Sequence, residues 1–263
     1  MEVLRRYVRE LIGGGSWPYQ RGAAVYSAAA TIFREGLGTY RTLNQLRHAP
    51  ETGPAISVKF RGLDHPLWLR PGGHDVDTVI SNIVREEYGQ FRSASPPCTL
   101  IDAGAYIGDT SAYFLSRFSN LQVVALEPNP DTLAFTQRNL SAYGQRARVL
   151  PYALSASETT TYLAGEGTGA RINVSSGVKV DTITIPRLLE MLPGGRASIL
   201  KLDIEGAEDE IFLSKPETWL PKIDRIIVET HSPQITRNVL NALAANDWKA
   251  DQYRNLWYCS PRN

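Results

Sequence analysis

Apolar positions follow two different rhythms along this chain. Near its start, Val3, Leu4, Tyr7, Val8, Leu11 and Ile12 recur every three or four residues, which predicts a helix with one buried stripe. Gly13-Gly14-Gly15 would end it, and Ala23 to Phe33 predicts a second helix, stopped near Gly36 and Gly38. Ile56 to Phe60 and Pro66 to Arg70 read as two short strands joined around Gly62. Asp75 then suits the N-cap of a helix that buries Val76, Val79, Ile80, Ile83 and Val84 and ends at Tyr88-Gly89.

From residue 98 the rhythm changes to strands alternating with helices. Cys98 to Ile101 reads as a strand, followed by a turn and a helix near Thr110 to Phe118. Leu121 to Leu126 is a second strand, with a helix from Pro130 to about Ala142, and Ala147 to Leu150 is a third. Thr159 to Leu163 and Val178 to Ile183 add shorter extended pieces. Ser198 to Leu202 and Arg225 to Val228 look like buried strands, each with a helical pattern behind it, and Trp248 to Cys259 reads as a hairpin around Arg254-Asn255. Continuous apolar strands between helices predict an α/β fold with a mostly parallel sheet covered on both faces.

Composition narrows the picture. At 263 residues, 43% hydrophobic and 21% charged, the chain suits one soluble α/β domain over residues 55–263 with a helical extension over residues 1–54. That extension reads as a lid or an oligomerisation arm, and the second role would make a homodimer. Its first fifty residues hold seven arginines, three glutamates and no lysine, so one face is basic, whether merely solvated or turned to a partner. The whole chain carries only +1, which gives no field for nucleic acid or an acidic membrane and favours a small neutral substrate. Arg5, Arg6 and Arg9 interrupt any signal-peptide core, and Ala23 to Phe33 is too short to span a bilayer, so no membrane span and a cytoplasmic location are expected. Cys98 and Cys259 lack metal or redox spacing and read as two buried free thiols.

The chemistry concentrates in the loops after the strands. In Thr99-Leu-Ile-Asp-Ala-Gly-Ala-Tyr-Ile-Gly-Asp-Thr110 a strand runs into Asp102, a turn carries Gly104 and Gly108, and a helix opens near Asp109 or Thr110. Glycine lets backbone approach a ligand, and the helix start offers unpaired N–H groups. A dinucleotide site wants G-x-G-x-x-G, whereas the spacing here is G-x-x-x-G, and Asp102 would repel a pyrophosphate while suiting an amino group and a sulfonium. Glu127, at the end of the second strand, is placed to accept from both hydroxyls of a ribose. An NAD(P)-dependent oxidoreductase remains the main rival, though no Tyr-x-x-x-Lys pair occurs; a non-catalytic cofactor-binding subunit is the other. G-x-S-x-G, H-E-x-x-H and a Walker loop are absent.

The runs Ile101 to Thr110, Glu127-Pro-Asn-Pro130, Tyr152-Ala-Leu-Ser155 and Lys201-Leu-Asp-Ile-Glu-Gly-Ala-Glu208 resemble the FkbM family of methyltransferases. Leu69-Arg-Pro-Gly-Gly-His-Asp75 and Glu87-Tyr88 are similar to its N-terminal signature, and Tyr106 stands where many relatives carry Asn. The resemblance implies a class I methyltransferase fold: a Rossmann-like seven-stranded sheet whose last strand is antiparallel, binding S-adenosyl-L-methionine over the C-terminal strand ends. It implies methyl transfer to hydroxyl oxygens of sugars, glycolipids or natural products. The cofactor set is then Asp102, Gly104, Ala105, Tyr106, Gly108, Asp109 and Thr110, with Glu127, Pro128 and Asn129 at the ribose. Ala153 and Leu154 would lie near the adenine, and Asp203 at the methyl-transfer site.

Methyl transfer needs an oxygen about 3 Å from the methyl carbon and in line with sulfur, and the hydroxyl must lose its proton. Asp203 and Glu205 follow one buried strand and His231 the next, so these three are the catalytic candidates, His231 or Asp203 as the base. Glu229 would shape the substrate pocket, and Asp203, Glu205 and Glu229 could together hold Mg²⁺. Arg70 and Asp75, in the Pro-Gly-Gly loop with His74, are expected to reach substrate or the cofactor carboxylate.

Overall fold

The computed structural model describes residues 17–93, 95–165, 171–173 and 176–262. The helix predicted over Val3 to Ile12 and its glycine stop lie outside them. Helix α1 (Trp17–Glu35) runs further than predicted and ends at Gly36, whose φ of 93° no helix accommodates; Gly38 lies inside a second helix, α2 (Leu37–His48). Strands β1 (Ile56–Val58) and β2 (Leu67–Leu69) form the expected antiparallel hairpin. Helix α3 (His74–Val79) continues as a π-turn over Ile80–Val84. Its cap position belongs to Gly73, not to Asp75, because the Asp75 carboxylate is taken up by Arg70.

The alternating half follows the predicted order: β3 (Thr99–Ala103), α4 (Asp109–Arg117), β4 (Gln122–Leu126), α5 (Pro130–Leu140) and β5 (Ala147–Leu150). After Pro151 the chain leaves this sheet. β6 (Tyr152–Leu154), β7 (Thr160–Ala164), β8 (Arg171–Asn173) and β9 (Val178–Ile183) build a second, four-stranded sheet in the order β6-β9-β7-β8. The chain then returns through α6 (Ile185–Glu190), β10 (Ala197–Leu202), α7 (Glu208–Leu213), β11 (Ile223–Glu229), α8 (Pro233–Ala245), β12 (Trp248–Tyr253) and β13 (Leu256–Pro261). The main sheet runs β12-β13-β11-β10-β3-β4-β5, parallel except for β13, which is antiparallel to both neighbours.

Alternation along each strand sends side chains to two cores. Leu100, Val123, Ile199 and Ile227 face a cluster that also holds Leu43 and Leu46 of α2, Val76 and Val79 of α3 and Phe114 of α4. Ile101, Val124, Leu200 and Ile226 face the other, built from Leu188 of α6, Phe212 of α7 and Val239 and Leu243 of α8. Burying a leucine or isoleucine this fully contributes about 1.5–3 kcal/mol. Cys259 is buried as expected, but Cys98 lies on the surface, because β3 begins one residue after it. No helix among the described residues is long and apolar enough to cross a membrane.

Candidate active site

Because β10, β3 and β4 are neighbours in register, the loops leaving their C-terminal ends converge. They border a cleft of about 790 Å³ counting its open mouth. Gly104, Ala105, Tyr106, Asp109 and Thr110 line one side; Glu127 and Pro128 lie at the next strand tip, Ala153 and Leu154 beyond it, and Asp203 and Glu205 opposite. Asp102, Gly108, Asn129, Arg70, Asp75, Glu229 and His231 are not part of this lining.

For all but His231 the absence has a local cause. Asp102 is fully buried: its Oδ2 accepts from Ser111 Oγ at 2.6 Å and its Oδ1 lies 3.2 Å from Lys201 Nζ, so protein groups answer its charge. Gly108 caps α4 at φ 81°, where a Cβ would meet Leu140. Asn129 caps α5, accepting from the Asp131 N–H at 3.0 Å. Arg70 and Asp75, expected at the substrate, are paired with one another at 2.9 Å. Glu229 accepts from Asn255 at 2.6 Å; burial, then the nearby Asp203 charge, pushes its pKa up to about 7.

The residues that do meet are held closely. Gly104 has φ 77°, and a Cβ there would stand 1.9 Å from the carbonyl oxygen of Asp203. Only glycine lets the tips of β3 and β10 touch. Glu127 is 7% exposed and accepts two peptide N–H groups, from Tyr106 and Asn129, each at 2.9 Å. Burial pushes its pKa up to about 7, against the pull of those two bonds. Asp109 is likewise raised to about 7 by burial, while Asn82 donates to it at 2.8 Å.

Two groups that carry this geometry have no assigned role in the sequence reading. Lys201, 2% exposed in β10, donates to the carbonyls of Gly104 at 2.7 Å and Ala103 at 3.3 Å, and stands 3.7 Å from Asp203. Burial opposes its charge, but Asp102 and Asp203 outweigh it and raise its pKa. A lysine inside the apolar run Ile199-Leu200-Lys201-Leu202 was the available signal, since a buried ammonium requires partners. Glu208, fully buried, accepts from His231 Nδ1 at 2.8 Å and from the Gly206 N–H at 3.2 Å. His231 Nε2 then faces Asp203 Oδ1 at 3.5 Å and Glu205 Oε2 at 3.4 Å. Burial works against its protonation, yet the bond to Glu208 and the three carboxylates push its pKa up to about 9. One ligand atom from each of Asp203, Glu205 and His231 lies within 4.8 Å of the others, a spacing a cation could bridge. His231 thus takes the third place that sequence reading gave to Glu229.

A profile described as the Methyltransferase FkbM domain matches residues 102–252, more than half of the chain. The chain belongs to the FkbM methyltransferase family. Its sheet is the class I methyltransferase fold that the motifs implied, and class I relatives use S-adenosyl-L-methionine as methyl donor. Methyltransferase sdnD of Sordaria araneosa is 28% identical to this FkbM chain over 203 residues, covering 59% of it and 78% of sdnD. Hexuronic acid methyltransferase AglP of Haloferax volcanii is 29% identical over 206 residues, covering 72% and 84%. Among solved structures, ribosomal protein L11 methylase of Lactobacillus delbrueckii subsp. bulgaricus is 12% identical and covers 73% of this chain and 82% of its own, at a TM-score of 0.42.

Proposed function

We propose that this FkbM chain is an O-methyltransferase that uses S-adenosyl-L-methionine to methylate a hydroxyl of a sugar, glycolipid or natural-product small molecule. The supporting observation is the single cleft that joins Glu127 at one strand tip to Asp203 and Glu205 at another, beside a histidine held by a buried acid. Both oxygens of Glu127 retain a lone pair beyond their peptide bonds, which suits the two hydroxyls of a ribose. Ala153 and Leu154 offer an apolar face to an adenine, and Asp109 a carboxylate to the methionine amino group. The bound donor supplies an electrophilic methyl group.

The chain's own task is to bring a hydroxyl to that carbon and take its proton. With Nδ1–H committed to Glu208, His231 presents Nε2 as the proton acceptor once neutral. Asp203 and Glu205 orient the acceptor and balance the imidazolium. The sugar-acid substrate in the name of AglP favours a sugar acceptor. The same three residues support a second reading, in which a divalent cation such as Mg²⁺ polarises the hydroxyl. A chelator that abolishes turnover, with recovery on adding the cation, selects it.

Calorimetric titration with S-adenosylhomocysteine should show binding, with NADH inert in parallel. Binding of NADH alone sinks the proposal. Incubation with the donor and candidate glycosides should add one methyl to a hydroxyl by mass spectrometry; transfer only to nitrogen or carbon would refute the oxygen assignment.

A further inference from the structure

At the edge of the cleft lies a polar cluster built around a buried acid. Asp75, 2% exposed, accepts from the Arg70 peptide N–H at 2.8 Å, from Arg70 Nε at 3.1 Å and Nη2 at 2.9 Å, and from the Tyr106 hydroxyl at 2.7 Å. The Arg70 guanidinium also lies over the rings of Tyr106 and Phe135, 5.3 and 4.9 Å from their centres. Arg70 follows β2 and Asp75 lies in the first turn of α3, both upstream of the main sheet, whereas Tyr106 belongs to the turn after β3. The cluster therefore ties the N-terminal hairpin to the cleft.

What it holds is a strained peptide. Tyr106 has φ 49°, in the left-handed region that side-chain-bearing residues avoid. In that bend its peptide N–H donates to Glu127 Oε2 at 2.9 Å, while its carbonyl accepts from Thr136 Oγ1. We infer that Arg70, Asp75 and Tyr106 are positioning residues: the clamp on the Tyr106 hydroxyl keeps the turn bent so that the Tyr106 N–H holds Glu127 in place. The inference rests on the reading of Glu127 as the donor's ribose acid. Freed of the clamp, the turn relaxes toward ordinary φ, the N–H withdraws, and Glu127 keeps one of its two peptide donors. Asp203 and His231 follow β10 and β11, and their side chains take their bonds and ion pairs from Lys201, Glu205 and Glu208, not from this clamp. The loss therefore falls on affinity for the donor, not on the transfer step.

S-Adenosylhomocysteine binding and steady-state kinetics test this with Tyr106→Phe, Asp75→Asn and the double variant. Tyr106→Phe keeps the ring and its stack on Arg70, and should weaken binding about tenfold, the worth of roughly one hydrogen bond to a charged group. The donor's KM should rise in step, with kcat at saturating donor within twofold. Asp75→Asn should weaken binding similarly, and the double variant should be no weaker than the weaker single one, since both break one link. Arg70→Lys, which loses the fork that grips Asp75, gives an independent measure and should cost several-fold. The inference is overturned if Tyr106→Phe binds within twofold of the unaltered protein, if the two losses multiply, or if the loss falls on kcat. Failure of the unaltered protein to bind S-adenosylhomocysteine would instead refute the donor assignment itself.

Discussion

His231 stands where three carboxylates meet, and its two possible duties pull in opposite directions with pH. Its pKa rises from an ordinary 6.5 to about 9 in the folded protein, so folding takes up a proton there. The resulting stabilisation is fully present below pH 6.5 and is lost as pH climbs through about 9. Proton acceptance by Nε2 needs the neutral form, so the transfer rate should climb about tenfold per pH unit until near pH 9. Turnover should therefore increase over the range in which thermal stability declines, and His231→Gln should flatten both trends. A rate level between pH 7 and 9 would remove His231 from proton transfer. The sequence made this histidine visible through its place after a buried strand. It did not disclose Glu208, whose position at the start of α7 reads equally well as a helix-end acid.

At the scale of elements, the decisive contact is between the tips of β3 and β10. Gly104→Ala would drive a methyl group to within 1.9 Å of the Asp203 carbonyl at a φ of 77°, and neither backbone can give way without breaking register. The expected cost is about 3 kcal/mol or more, read as a lower urea midpoint; an unchanged midpoint would mean the tips can separate freely. These tips were legible beforehand because the middles of β3, β4, β10 and β11 are buried and appear as short apolar runs: Leu100-Ile101, Val123 to Leu126, Ile199-Leu200 and Ile226 to Val228. β6 was not, since a single proline parts it from β5 and nothing local announces a change of sheet. The duty of Arg70 and Asp75 was hidden for a similar reason: their partner Tyr106 is 31 residues beyond Asp75, and only the fold brings it near.

Across the whole molecule, α2 is not an independent appendage, because Leu43 and Leu46 share a core with Leu100 and Ile199 of the sheet. Leu43→Ala should cost about 2–5 kcal/mol and lower one cooperative transition. A separate early melt that leaves the sheet's transition in place would show that the helices fold on their own. The position of β13 has a further consequence. It lies between β11 and β12, yet it follows both along the chain. During synthesis β12 emerges before the strand that must separate it from β11, and β11 itself waits with one edge bare. Its unpaired N–H and C=O groups are open to wrong partners, including the same edge of a neighbouring nascent chain, until Leu256–Pro261 slides into the gap. The slot that completes the sheet is thus also a place where an unfinished chain can mispair.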